Sequence, residues 1–282
     1  MDPETGADSA PPSSPPTVFQ RFKANWGDYV AEAIGAGTIV LFGSGASLQL
    51  QLYGAGDVLT AHLGWAIGVG LGAYVAGPIS GGHINPAVTI AQAVFRRFPL
   101  RKVPGYLLAQ TLGCFIAAWI IYTNYSEAID HFEPNGGRAV FGTNATAGNF
   151  ISIPAPGISL WSAFHDEFLG TALLVGGIFA FTNPALPGHA LAFAIFFLLL
   201  AIANGVGAQT GAAINPARDF GPRLALATLG YPIKDLFGHN SGYWLHGIWA
   251  ANILGGLVGA GLVDLLLYTG ADSIFNRPPE LP

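Results

Sequence analysis

The tripeptide Asn-Pro-Ala occurs twice in this chain, at Asn85-Pro86-Ala87 and at Asn215-Pro216-Ala217. Asparagine is a favoured N-cap of an α-helix and proline is favoured at the first helical position, so each tripeptide predicts the start of a helix. The apolar runs that begin there, 86–95 and 216–227, are short. A helix of about ten residues covers roughly 15 Å, about half of a ~30 Å hydrocarbon core. The two runs therefore have the length of helices that enter a membrane only halfway.

The composition places the rest of the chain in a lipid bilayer. Of the 282 residues, 51% are hydrophobic and 10% are charged, whereas soluble domains carry about 25% charged residues. So few charges cannot cover a soluble surface, and we predict a polytopic membrane protein. The net charge of −5 and the lack of a basic patch speak against a nucleic-acid partner. Cys114 is the only cysteine, which excludes an intrachain disulfide.

Six segments are long and apolar enough to span a bilayer, since a spanning helix needs roughly 20 apolar residues. They lie at about 28–49, 59–78, 104–123, 162–182, 189–208 and 242–268. The runs 86–95 and 216–227 are candidates for re-entrant half-helices, whose irregular flanking backbone must be buried in protein or line a cavity. The predicted fold class is an all-α polytopic membrane protein with six transmembrane helices plus two re-entrant half-helices.

The two halves of the chain are related by an internal duplication. Residues 31–35 match 166–170 at an offset of 135, and residues 80–87 match 210–217 at an offset of 130. Each repeat, about 28–123 and about 162–268, contains three spans. Because three is odd, the second repeat must be inserted upside down, which makes an inverted repeat.

The segments outside the repeats predict the domain limits. Residues 1–24 contain a Pro- and Ser-rich stretch and are predicted to form a disordered cytoplasmic tail, with a channel domain at 25–270 and a short C-terminal tail at 271–282. Basic residues before the first span and at 96–102 place both termini in the cytoplasm. A plasma membrane is the default location. Glycosylation sequons at Asn124 and Asn144 would lie outside, although such triplets are common by chance.

Inversion would bring the two Asn-Pro-Ala helix starts together near the midplane. Each helix N-terminus carries about +0.5 of an elementary charge, so the pair would repel cations and hydronium. The side-chain amides of Asn85 and Asn215 could donate hydrogen bonds to a passing oxygen. The unwound residues before them would expose backbone carbonyls, which we assign to Gly81, Gly82, His83, Ala212, Ala213 and Ile214. With apolar side chains elsewhere, this is a pore for a small neutral hydroxylated solute.

Glu32 and Glu167 occupy matching positions inside spans, where an ionisable group is costly unless it has partners. We expect both to support the unwound loops by accepting backbone N–H bonds. The alternative is a carboxylate near the membrane interface. The run His165-Asp166-Glu167 could suggest a metal or acid–base site, but consecutive helical residues point in different directions. We therefore predict no catalytic residue and no metal site in this run.

Arg218 and Asp219 directly follow the second tripeptide. Arg218 lies three residues past Asn215, about one helical turn towards the pore mouth. A guanidinium there offers several donors to hydroxyl groups and a second barrier to cations. Asp219 is predicted to support the loop and not to face the lumen.

On these residues the chain resembles the major intrinsic protein family, the aquaporins and glycerol facilitators. The resemblance covers about 28–268 and is carried by Ser80–Val88 and Thr210–Pro222, with the paired Asn-Pro-Ala and Arg218 as its most specific part. It implies an aquaporin-like fold, a homotetramer with one pore in each subunit, and passive transport without cofactor or catalysis. The implied passengers are glycerol and water, with other polyols or urea as further candidates.

Within that family the chain is more similar to the aquaglyceroporin branch, because Asp219 follows the arginine and Arg223 stands where that branch commonly has Lys or Arg. The resemblance places the selectivity filter by spacing from the two motif asparagines at Trp65, Ala203, Ala212 and Arg218. Trp65 matches glycerol facilitators, and Ala203 leaves out the imidazole that water channels typically have. Ala212 departs from the bacterial glycerol facilitator, which has Phe there, and implies a wider constriction.

Three other functions compete with a glycerol channel. A water-preferring channel of the same fold is disfavoured by Ala203 and Asp219. An ion-coupled secondary transporter would need a titratable residue in the path, and apart from Arg218 the sequence places none there with certainty. An intramembrane enzyme depends only on the run His165-Asp166-Glu167.

Overall fold

A computed structural model describes residues 15–133, 137–182 and 190–276. Within these ranges the chain is helical and contains no strand. The α-helices are α1 (Val18–Tyr53), α2 (Val58–Ser80), α3 (Pro86–Phe95), α4 (Val103–Phe132), α5 (Leu160–Phe181), α6 (Leu191–Val206), α7 (Pro216–Thr228), α8 (Ile233–Gly238) and α9 (Asn252–Leu266). A π-helical segment, Trp244–Ala251, runs directly into α9.

Five of the described helices are long and apolar enough to cross a membrane: Val18–Tyr53, Val58–Ser80, Leu100–Phe132, Leu160–Phe181 and Trp244–Leu266. The predicted span at 189–208 is observed as α6, which has 16 residues, and residue 189 lies outside the described ranges. The predicted half-helices are α3, with 10 residues, and α7, with 13. The all-α fold with two half-length helices is thus confirmed.

The first helix begins inside the segment predicted as a tail. The side chain of Thr17 accepts a hydrogen bond from the backbone N–H of Gln20, and the Gln20 side chain accepts one from the Thr17 N–H. This reciprocal pair satisfies two backbone donors at the helix start, so α1 begins at Val18. The predicted limit at residue 24 therefore cuts through α1, and residues 1–14 lie outside the described ranges.

The two repeats pack in the same way. Helix α1 packs against α2 and α4, and the corresponding α5 packs against α6 and α9. Glycine permits the closest approaches: a Cβ added to Gly113 on α4 would lie 1.9 Å from the Ala33 carbonyl oxygen on α1, and one added to Gly255 on α9 would lie 2.2 Å from the Phe168 carbonyl oxygen on α5. Small residues let membrane helices approach closely, so these positions hold each repeat together.

Candidate functional site: a cavity between two half-helices

The two Asn-Pro-Ala motifs meet each other in the structure. The Asn85 side-chain amide donates to the Ile214 carbonyl at 2.9 Å, and the Asn215 amide donates to the Ile84 carbonyl at 2.9 Å. Each side-chain oxygen caps its own helix by accepting from the N–H two residues later. A carboxamide has two N–H donors, so each asparagine keeps one donor for a ligand in the cavity.

The backbone before the two motifs has the same unusual conformation in both halves. Gly81 and Gly211 have φ of 92° and 88°, and Ile84 and Ile214 have φ of 45° and 41°. A positive φ is uncommon for a non-glycine residue and marks a locally strained backbone. The repetition of this strain in both halves shows that the loops are held by their surroundings.

In the first half the loop is held by a buried carboxylate. Glu32 on α1 accepts from the His83 N–H at 2.9 Å with one oxygen and from the Ile84 N–H at 2.6 Å with the other. The Gln110 amide bridges Glu32, at 2.7 Å, and the Thr89 hydroxyl, at 2.9 Å. Glu32 is fully buried, so these bonds replace the water that the carboxylate would otherwise have.

The second half repeats this arrangement with other neighbours. Glu167 on α5 accepts from the Ala213 N–H at 2.9 Å and from the Ile214 N–H at 2.8 Å. The Tyr243 hydroxyl donates to Glu167 at 3.1 Å, and the Ser152 hydroxyl lies 3.4 Å from it. Both glutamates therefore contact the unwound loops and not the membrane interface.

A single cavity passes between the two loops. The predicted filter residues Trp65, Ala203, Ala212 and Arg218 all line it, as do both motif asparagines. Of the predicted carbonyl positions, Gly82, His83, Ala213 and Ile214 also line it, whereas Gly81 does not, because it forms the C-cap of α2. Much of the remaining lining is apolar and consists of Ile39, Val69, Val88, Leu174, Ile178, Ile195 and Leu199.

Arg218 is fixed at one end of this cavity. Its guanidinium carbon lies 3.6 Å from the centre of the Trp65 ring, and its Nη1 donates to the Phe150 carbonyl at 3.0 Å. The stacking and the hydrogen bond orient a planar cation that is only 6% exposed. Because the guanidinium has five N–H donors, others remain for a solute in the cavity.

Asp219 points away from the cavity and belongs to a buried ionic network. Its carboxylate pairs with Arg223 at 2.5 Å and accepts from the Ser152 N–H at 2.6 Å. Arg223 also donates to the Ser152 carbonyl at 2.7 Å and to the Leu236 carbonyl at 2.6 Å. The pair thus ties the loop before α5 and helix α8 to α7.

The structure adds two ionisable side chains to the cavity wall. Beside Arg218, His62 on α2 and His83 line it. The sequence predicted a backbone carbonyl at His83 and did not single out His62. His62 precedes Trp65 by three residues and therefore lies on the same face of α2, a spacing that could have identified His62 as a residue of the cavity wall. Phe220, the aromatic residue two positions past Arg218, stacks on Trp244 at 5.5 Å and does not line the cavity.

The run His165-Asp166-Glu167 does not converge on one site. His165 is exposed, while Asp166 accepts from the Thr210 hydroxyl at 2.8 Å and from the Gln209 amide at 3.1 Å. Among the described residues there is no group of three His, Cys, Asp or Glu side chains that could hold a metal ion. Asp166 instead supports the same loop as Glu167.

Comparison with known proteins agrees with this geometry. The family model described as Major intrinsic protein matches residues 19–268. An aquaporin of Laccaria bicolor is 46% identical over 248 residues, which cover 86% of this chain and 93% of that protein. The aquaglycerol porin AQY3 of Saccharomyces cerevisiae is 38% identical over 268 residues, covering 93% of this chain and 41% of that protein. The X-ray structure of the aquaglyceroporin from Plasmodium falciparum superposes with a TM-score of 0.75 at 28% identity, covering 85% of this chain and 96% of that one.

Proposed function

Because the chain belongs to the major intrinsic protein family, whose members are membrane channels and not enzymes, we propose that it is a passive channel for glycerol, water and other small neutral solutes. It is an integral membrane protein of a family that passes water and small solutes. The glycerol preference and the exclusion of protons and ions are the parts that we propose.

One observation carries the proposal. A single cavity is lined both by polar residues, namely Asn85, Asn215 and Arg218, and by many apolar side chains. A polyol has hydroxyl groups along one edge and carbon atoms along the other. It can therefore exchange its water hydrogen bonds for those of the polar wall while its carbons contact the apolar wall, which limits the cost of leaving water.

The filter residues favour glycerol over water alone. Trp65 contributes an aromatic ring to the lining, and the side chains of Ala203 and Ala212 are small and leave space in the cavity. Two of the similar proteins carry the names aquaglycerol porin and aquaglyceroporin. Since Ala212 adds no second ring, we propose that larger polyols and urea also pass.

Exclusion of cations and protons follows from fixed positive charge. The N-termini of α3 and α7 both face the cavity and contribute about half an elementary charge each. Arg218 adds a full charge at one end. A hydronium ion or metal cation would meet both barriers in a site of low dielectric constant, whereas a neutral solute meets neither.

The remaining residues support this path. We propose that Glu32, Glu167 and Asp219 hold the loops, that the protein forms a homotetramer in the plasma membrane, and that both termini face the cytoplasm. We keep the domain limits proposed from the sequence, a tail at 1–24, a channel domain at 25–270 and a C-terminal tail at 271–282, with the first turns of α1 reaching back into the tail as far as Val18.

Proteoliposomes that contain the purified protein test the function. In an inward glycerol gradient, light scattering should show fast shrinkage from water flux followed by re-swelling from glycerol entry, with and without a proton gradient. Fast water flux without glycerol entry would refute the glycerol assignment in favour of a water-preferring channel. Glycerol entry that needs the proton gradient would refute passive transport in favour of an ion-coupled transporter.

A further inference from the structure

His62 is a polar residue of the cavity wall that does not belong to the four filter positions. It lies on α2 three residues before Trp65, so the two side chains are neighbours on one helix face. Both line the same cavity, together with Ala203 of α6 and Arg218 of α7. The question is which hydrogen bond the imidazole offers to a solute at this end.

The hydrogen bonds of Asn204 determine which nitrogen of the neutral His62 ring carries the hydrogen. The Asn204 side-chain N–H donates to the Leu200 carbonyl at 2.8 Å, which fixes the nitrogen of the amide on that side. The Asn204 oxygen therefore faces His62, whose Nδ1 lies 3.1 Å away. A carboxamide oxygen can only accept, so Nδ1 carries the proton and Nε2 of the neutral ring is an acceptor.

That acceptor is free for a ligand. His62 makes no other hydrogen bond with the described residues, so its Nε2 has no partner there. Among the filter side chains Arg218 only donates, so Nε2 of His62 adds a side-chain acceptor to the backbone carbonyls of the loops. A hydroxyl group both donates and accepts. It would satisfy both of its roles only if the end of the cavity offers an acceptor as well as a donor.

We infer that His62 is a specificity-determining residue of this channel, and that its Nε2 accepts the hydrogen of a solute hydroxyl whose oxygen accepts from Arg218. Asn204 is a positioning residue that holds the imidazole in the accepting tautomer. The inference rests on the proposed polyol transport. It makes the hydroxyl group, and not size alone, the feature that the cavity end recognises.

Few other charged groups surround His62. Residues 33–52 of α1 and residues 191–206 of α6, the two helices that pack on α2, contain no ionisable side chain. On α2 itself, Asp57 caps the first turn and Tyr74 lies three turns further on. Across the cavity are Arg218 and His83.

Two substitutions separate hydrogen bonding from packing. His62→Phe keeps a ring of similar size and removes the acceptor, whereas His62→Gln loses the ring and keeps an acceptor oxygen. We expect the ratio of glycerol to water permeability in proteoliposomes to fall about fivefold in His62→Phe, the effect of one unpaired hydroxyl hydrogen. In His62→Gln the ratio should stay within about twofold of the wild type, since the acceptor remains.

The paired substitutions supply a readout that a purely structural role would not change. A structural defect would lower the glycerol and water permeabilities together, whereas loss of the acceptor lowers the glycerol-to-water ratio, and does so only in His62→Phe. A ratio that falls equally in His62→Phe and His62→Gln would overturn the inference.

The outcomes also separate this inference from the proposed function. No glycerol entry into wild-type proteoliposomes refutes the glycerol channel itself. Glycerol entry by the wild type that is equal in His62→Phe, or is lost in His62→Gln but kept in His62→Phe, refutes the role of His62 and leaves the channel in place. If His62→Phe does not insert, His62→Leu, which also removes the acceptor, takes its place in the comparison with His62→Gln.

Discussion

The two Asn-Pro-Ala halves share one backbone and differ in the residues that follow it. In the first half the motif is followed by Val88 and Thr89, and in the second by Arg218 and Asp219. Val88 and Arg218 both line the cavity, whereas Thr89 and Asp219 are completely buried behind it. The duplicated positions thus keep their places in the structure while their chemistry has changed.

This comparison of the two halves separates the features of the site that are duplicated from those that occur in one half only. Glu32 and Glu167 make the same pair of backbone hydrogen bonds, so the shape of the loops is built twice. Behind the loops, the first half uses a neutral contact between Gln110 and Thr89, and the second uses an ion pair. Charge is therefore added on one side only, at the end of the cavity where Arg218 lies.

The ion pair of the second half gives the largest predicted effect. Asp219→Thr copies Thr89 into the second half and leaves Arg223, which is 3% exposed, without its carboxylate. Removing one partner of a buried ion pair costs about 3–5 kcal/mol. Thermal unfolding in detergent should show a much lower midpoint, and little folded protein should be recovered. Glu127→Thr, at an exposed carboxylate, is the control and should match the wild type.

The paired glutamates test the symmetric part of the comparison. Glu167→Gln and Glu32→Gln each replace one accepting oxygen by an NH2 group that faces a backbone N–H. An unsatisfied buried donor costs about 1–3 kcal/mol, so each variant should unfold at a lower temperature and lose glycerol flux. Equal stability of both variants and the wild type would show that the carboxylates do not hold the loops.

Arg218→Val tests the asymmetric part, because it copies Val88 into the second half. Two unit charges ~4 Å apart in a medium with an effective dielectric constant of ~20 interact by ~4 kcal/mol, which is the size of the repulsion between the guanidinium and a passing proton. We expect proton conductance to rise at least about tenfold while glycerol flux persists. Voltage-clamped oocytes measure the proton conductance and swelling in glycerol medium measures the glycerol flux, with the exposed Arg101→Val as the control. Unchanged proton conductance would remove Arg218 from the barrier.

The smallest predicted effect concerns the backbone of the two loops. Gly82 and Ala212 are equivalent and have φ of 65° and 45°. Left-handed backbone costs a non-glycine residue roughly 1–2 kcal/mol, so Ala212→Gly should slightly raise the unfolding temperature. Gly82→Ala should lower it, because its Cβ would lie 3.0 Å from Gly77 Cα. If both substitutions changed the unfolding temperature in the same direction, the two loops would not be equivalent.

The sequence predicted the parts of the molecule that local patterns and the duplication determine. Hydropathy located the spans, and the repeat placed the two asparagines, which the structure joins through Ile84 and Ile214. Spacing from the motif also led to four residues that line the cavity. These features depend on helix period and on repeated motifs, which are visible in one chain.

The sequence did not reveal contacts that depend on how distant segments pack. Phe150 and Ser152 lie in a loop that appeared only as a connection, yet their backbone binds Arg218, Asp219 and Arg223. The pairing of His62 with Asn204, 142 residues apart, was likewise not predicted. Single-sequence patterns carry no information about such pairs, because any polar side chain on the right helix face would give the same pattern.

The central claim, that solute passes through the cavity between the two half-helices, is tested most directly by filling it. Ala203 lines the cavity, whereas Ala201, on the same helix, is exposed on its outside. In proteoliposomes with equal amounts of protein, Ala203→Phe should abolish glycerol entry, and Ala201→Phe should conduct like the wild type. Glycerol entry that is unchanged in Ala203→Phe would contradict the claim, because the solute would then use another route.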